Sequence, residues 1–209
     1  MTTRVGSTSP RLRIGASLLA VSLAFALWQT DPAWAQAKPY VMLKDRLDRP
    51  VDGYCIDIAG SGEWINVNVP LSAHNCKGPG IAPDQALDYD GATGQLRFPA
   101  LNVCVTALGR AGRSLSQMPL IAQPCATEAR PQPTPFASRS LQAFDFRADG
   151  RLELRGSGLC MVAGHQSDTT FSVHDRWRAL LLLPCEGAPL ALSQWTLPGA
   201  ARSKRLGER

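Results

Sequence analysis

After residue 35 the chain lacks three things: a long apolar run, a sustained helical period and a block of like charge. The first absence leaves no later membrane span. Leu180–Leu183 is four leucines closed by Pro184, against the roughly 20 residues a helix needs to cross a bilayer. The second argues against an α-helical core. The third argues against nucleic acid as a partner, because a nucleic-acid groove needs basic residues gathered on one folded face. The formal charge of +5 misleads on this point. Of 22 Lys+Arg and 17 Asp+Glu, Arg4, Arg11, Arg13 and Asp31 precede Gln36, which leaves 19 and 16. The final eight residues, RSKRLGER, hold four bases and one acid, so the body between is close to neutral. That end, 199–209, reads as a solvated, disordered basic tail.

Catalytic signatures are missing too. There is no Gly-x-Ser-x-Gly elbow, no His-Glu-x-x-His and no phosphate loop. His165, His174 and Asp175, with Arg176 and Trp177 adjacent, have no placed nucleophile beside them. An enzyme is therefore not expected, and no cofactor is implied.

What is present begins with a leader. Arg4, Arg11 and Arg13 open the chain, Ile14–Trp28 is an uncharged, mostly apolar run, and Ala33-Trp34-Ala35 is a small-x-small triplet. This pattern predicts a signal peptide over 1–35 and a secreted or periplasmic product. An uncleaved anchor is the rival, though fifteen residues are short for one.

Export gives the six cysteines a meaning, since an even count in an oxidising compartment suggests a disulfide framework. Cys55 is followed after 21 residues by Cys76, Cys104 after 21 by Cys125, and Cys160 after 25 by Cys185. The first members stand 49 and 56 residues apart. Repetition at this period marks an array of units. Metal binding is the alternative use of these cysteines, but the intervals are too long for paired C-x2-C ligands. The flanks repeat as well. YCIDI, VCVTAL and LCMVAG open short apolar strands; VPLSAHNC, PLIAQPC and LLLLPC close others. Tyr89–Phe98 and Phe146–Leu154 read as hairpins with glycine turns. Short strands in three units predict an all-β domain.

In its spacing and order of parts the chain resembles the ricin B-chain type lectin domain. That family's repeat runs Cys-hydrophobic-Asp, then hydrophobic-x-x-x-Cys, then Gln-x-Trp. Here the last phrase is intact as Gln142-Ala143-Phe144, has Leu87 in the aromatic place of the first copy, and keeps Trp195 in the third with Ser193 in the glutamine's place. The resemblance implies a β-trefoil over 36–198, with lobes of about 40–90, 91–143 and 144–198. If the lobes are equivalent, it also implies that each pairs its own cysteines: Cys55–Cys76, Cys104–Cys125 and Cys160–Cys185. The second lobe carries an insertion, 126–140, with Pro131, Pro133 and Pro135 alternating; such a stretch is extended and solvated.

A sugar site needs a flat apolar face for the ring and fixed donors and acceptors for its hydroxyls. By the resemblance Asp57 is the acceptor, His74 stands in the stacking place two residues before Cys76, and Asp84 is the helper beside Gln85. Ser72 faces the same side as His74 on a strand, and Trp64 in the intervening loop offers a larger ring. The other lobes carry Thr106 and Gln123, or Val162 and Leu183, at the matching places. The expectation is therefore a single weak carbohydrate site in lobe one, with a glycan or polysaccharide as partner. Asp57 as a mere turn cap is the bland alternative. The other class of function is a trefoil that binds another secreted protein, with His174–Leu183 as its apolar surface.

Overall fold

The structure is a computed structural model that describes Thr2 and residues 40–78, 82–127 and 138–198. All of these except Thr2 belong to the unit Gln36–Arg209. The expected signal peptide, most of the Pro-rich insertion and the basic tail lie outside the described residues.

The first repeat contributes β1 (Met42–Leu43), β2 (Tyr54–Asp57), β3 (Ser72–Asn75) and β4 (Asp88–Asp90). The second contributes β5 (Gln95–Phe98), β6 (Val103–Ala107), β7 (Gly109–Arg110), β8 (Arg113–Ser114), β9 (Leu120–Pro124) and β10 (Phe144–Phe146). The third contributes β11 (Leu152–Leu154), β12 (Leu159–Ala163), β13 (Asp168–Thr169), β14 (Arg176–Pro184) and β15 (Trp195–Thr196). Helix is limited, among the described residues, to α1 (Leu190–Ser193) and two 3-10 turns, Gly62–Trp64 and Arg139–Leu141. The fold is all-β.

Pairing follows the repeat. Within each unit the strand that carries the first cysteine pairs antiparallel with the strand that leads into the second, β2 with β3, β6 with β9 and β12 with β14. Between units the last strand of one turns back on the first of the next, β4 on β5 and β10 on β11. The third unit returns to the first, with Met42 opposite Thr196 and Leu43 opposite Trp195. Both expected hairpins form for the same local reason. Asp90 Oδ1 accepts from Ala92 N at 2.9 Å and Asp149 Oδ1 from Arg151 N at 3.1 Å, and Gly94 and Gly150 supply positive φ.

One core serves all three units. Leu43, Ile56 and Leu71 meet Leu96, Phe98, Val105 and Leu120 from the second unit and Leu152, Met161, Leu182 and Trp195 from the third. These positions alternate with outward ones along each strand, which is why the sequence shows period two rather than a helical period. Trp195 buries its ring and satisfies its nitrogen by donating to Met161 O at 3.1 Å.

The disulfides are Cys55–Cys76, Cys104–Cys125 and Cys160–Cys185, each within its unit, with Cα separations of 5.0, 4.9 and 4.8 Å. Closing a loop of this length contributes about 3 kcal/mol each in the chain-entropy model. Three such bonds are consistent with a compartment outside the reducing cytosol.

Strand β14 breaks the threefold regularity. It has nine residues against five in β9, and its extra amino-terminal part pairs with β3 of the first unit. Ala179 lies opposite Ser72, Arg178 opposite Ala73 and Trp177 opposite His74. The third repeat thus lends an edge strand to the first.

Candidate functional site

Directly opposed residues of antiparallel strands share a face. Asp57 pairs with Ser72 and Cys55 with His74, so Asp57, Ser72 and His74 all leave the outer side of the β2–β3 hairpin. The inner side carries Tyr54, Ile56, Ala73 and Asn75. The structure therefore brings together three of the five expected residues on one face.

Asp84 joins them through a residue that sequence reasoning passed over. Lys77 follows Cys76 and sends its Nζ between two carboxylates, 3.5 Å from Asp57 Oδ1 and in direct contact with Asp84 Oδ2. The same ammonium donates to Gly60 O at 3.0 Å. Asp57 is 2 % exposed and Asp84 1 %. Neither facing oxygen accepts a hydrogen bond of regular geometry, so their compensation is ionic. Burial pushes the Asp57 carboxyl up to about 7, against the pull of Lys77 and a hydrogen bond from Gln85. Solvent meets this group at the lysine, whose side chain is partly exposed.

Gln85 locks the group in place. Its Oε1 accepts from Lys77 N at 2.8 Å and its Nε2 donates to Asn75 O at 3.1 Å, clamping the residues on either side of Cys76. Gln142 makes the equivalent bonds around Cys125, accepting from Ala126 N at 2.7 Å and donating to Pro124 O at 3.0 Å. It also donates to Thr106 Oγ1 at 3.0 Å. Thr106 thus occupies the second unit's counterpart of Asp57.

His74 is half-buried. Its Nδ1 lies 3.1 Å from Asn75 O; a carbonyl only accepts, so the proton sits on Nδ1 and Nε2 carries the lone pair. Burial lowers its pKa, partly offset by that hydrogen bond, and the ring is neutral at pH 7. Lys77 and Asp175 are near enough to bear on its proton affinity. Trp64 stands apart. It ends the turn Gly62–Trp64 and is 84 % exposed, with its ring in solvent rather than folded over the others.

A cleft of about 290 Å³ lies between Asp88 at the end of the first unit and Arg97, Phe98 and Asn102 of the second, and none of the five expected residues lines it. Among the described residues no group of three His, Cys, Asp or Glu side chains is placed to hold a metal ion. His174 and Asp175 sit in the turn between β13 and β14, where Asp175 Oδ2 accepts from Ser172 Oγ at 2.8 Å.

No family model matches this chain, and no curated protein does. Among solved structures it is similar to one titled "Solution structure of mdaA-1 domain", at 13 % identity and a TM-score of 0.52, over 78 % of this chain and 92 % of that one. At that identity the likeness concerns the fold alone.

Two residues of this surface escaped sequence reasoning. The signal for Lys77 was its position: it follows the second cysteine directly, where the other units have Ala126 and Glu186. The signal for Trp177 was the interval of 25 residues between Cys160 and Cys185, four more than in the other units. Those residues lengthen β14 and carry Trp177 onto the first unit.

Proposed function

We propose that this chain is an exported carbohydrate-binding module, a β-trefoil of the ricin B-chain type whose sugar contact is confined to the first lobe. The signal peptide over 1–35 accounts for the disulfides, and the trefoil accounts for three units that each end on the next one's first strand.

One observation carries the functional part. Where lobe one has Asp57, Lys77 and Asp84, lobe two has Thr106, Ala126 and Leu141, and lobe three has Val162, Glu186 and Leu192. The fold is built twice without buried carboxylates, and burying charge is costly. Its retention in one lobe supports a role in binding rather than in packing. In this reading Lys77 commits its three donors to Asp57, Asp84 and Gly60 O and so fixes the loop beside the hairpin, while Ser72 and the neutral His74 on that face meet the sugar hydroxyls. Affinity is expected near millimolar, about −4 kcal/mol.

Calorimetric titration of the oxidised protein with neutral methyl glycosides, guided by a glycan array, tests this. Asp57→Ala removes one of the two carboxylates that hold Lys77 and is expected to weaken binding. A folded wild-type protein that holds no glycan on the array sinks the reading.

A second reading, a protein-binding trefoil, draws on the β13–β14 hairpin. At its tip Phe171 is 98 % exposed and Val173 75 %, an apolar pair of the kind that marks contact surfaces.

A further inference from the structure

The extended strand β14 places an aromatic ring in a setting that none of the repeat motifs describes. Trp177 lies opposite Asp168 of β13 on one side and opposite His74 of β3 on the other. The three side chains therefore form one row on the outer face, and strands about 4.8 Å apart set Asp168 roughly 10 Å from His74 with the indole midway. The row is open: Trp177 is 40 % exposed, Asp168 is exposed and His74 is half-buried.

The strand that carries the ring is also held still. Its sequence neighbours point to the opposite face and are tied there. Arg178 donates to Gly164 O at 2.9 Å, His165 O at 2.6 Å and Asp48 Oδ1 at 2.6 Å. Arg176 donates through its backbone to Asn75 Oδ1 at 3.0 Å and through Nη2 to Ser167 Oγ at 2.7 Å. A fixed backbone beneath the indole, which has only two side-chain torsions, lowers the ordering cost of binding.

We propose that Trp177 is the stacking platform for a neutral pyranose ring, with the Asp168 carboxylate and His74 Nε2 accepting hydroxyl hydrogen bonds on its two sides. This rests on the carbohydrate reading and supplies what that reading lacks, since His74 is a poor stacking plane and Trp64 points into solvent. The acceptors select the ligand class. Both flanking groups accept and neither donates while His74 is neutral, so a sugar carboxylate placed at either one finds no donor there. Neutral hexosides fit; sialylated and uronic-acid glycans do not.

The test uses the full exported chain with its disulfides formed. Tryptophan fluorescence and calorimetry follow titration with neutral methyl glycosides chosen from a glycan array that also displays sialylated and uronic-acid glycans. Trp177→Ala is expected to weaken binding by about tenfold or more, Trp177→Phe to keep part of it and Asp168→Asn to weaken it. The control Leu115→Ala, an exposed apolar residue on another part of the surface, is expected to leave it unchanged. Trp177→Ala that binds as wild type, or loss in Trp64→Ala instead, overturns this inference and leaves the carbohydrate reading standing. Preference for anionic glycans overturns it as well. Wild-type protein that binds no glycan removes the reading itself.

Discussion

The guanidinium of Arg178 lies 4.9 Å above the centroid of the Tyr54 ring. It joins the strand that the third lobe lends to the first lobe beneath it. The hydroxyl of Tyr54 donates to Asp48 Oδ1 at 2.9 Å, and Arg178 Nη2 donates to the same oxygen. Removing the guanidinium leaves Gly164 O, His165 O and the Asp48 carboxylate short of a donor. Arg178→Met is expected to destabilise the domain by about 2–4 kcal/mol, below the range for a fully buried pair because Asp48 is about a third exposed. Urea unfolding at pH 7 with the disulfides intact measures it. Loss of less than about 0.5 kcal/mol shows that β14 is held by its backbone ladder alone.

Asp57 gives stability a pH dependence of unusual sign for a carboxylate. The folded state holds its proton up to about pH 7, while an ordinary aspartate titrates near 3.8. Between these values the folded chain binds more protons, so stability is present in acid and lost as pH rises, by about 1.4 kcal/mol per unit for this one group. His74 works the other way, since its lowered pKa removes stability as pH falls below its ordinary value of 6.5. Asp52 and Asp149, both lowered by arginine partners after burial is offset, act in more acid solution. Comparing wild type with Asp57→Asn from pH 4.5 to 7.5 isolates the Asp57 part. The wild-type curve should fall relative to the variant as pH rises. Parallel curves contradict the raised pKa.

Gly60 sets the loop beneath Lys77. Its φ is +103°, and a Cβ there would lie 2.0 Å from Trp64 O, a position no side chain can occupy. Its carbonyl also receives the Lys77 ammonium. Gly60→Ala is expected to cost about 1–3 kcal/mol and to move the turn Gly62–Trp64. Amide exchange at Trp64 and Asn66 should rise, since Trp64 N bonds Ser61 O and Asn66 N bonds Ala59 O in this turn. Unchanged exchange there rules out the clash as the cause of any lost stability.

The all-β class, the strand pairs at the cysteines and the two glycine hairpins were legible because each rests on local chemistry: alternation, an aspartate, a glycine of positive φ. The disulfide pairing was legible through the repeat. Placing Ser72 and His74 on one face followed from strand period, whereas Asp57 entered the group through the resemblance and the register that sets it opposite Ser72 is seen in the structure. What stayed hidden was set by contacts between distant segments. Asp57 and Asp84 looked like open acceptors until Lys77 closed on them. Trp177 looked like part of an apolar run, because nothing in the order of residues says that β14 overshoots its own lobe and pairs with β3.

Removing Lys77 separates structure from function in this group. In Lys77→Met two nearly buried carboxylates face each other with no cation. The expected loss is about 3 kcal/mol at pH 9, toward the low end for a broken buried pair because the lysine side chain is 24 % exposed. It should shrink as pH falls toward neutrality, because without the ammonium's pull Asp57 takes up its proton above about pH 7 and the repulsion disappears. The triple variant Asp57→Val, Lys77→Ala, Asp84→Leu draws on residues the other lobes already use: Val162 at the first place, Ala126 at the second, and Leu141 and Leu192, both buried, at the third. Replacing an ionic group by packed apolar side chains is often neutral or stabilising by about 1–4 kcal/mol. The triple variant is therefore expected to unfold at a urea concentration equal to or above that of wild type, while its glycan titration goes flat. Stability that collapses in the triple variant assigns the group to the fold. Stability that is kept together with full glycan binding removes the group from the site and leaves Trp177 and its neighbours to hold the sugar.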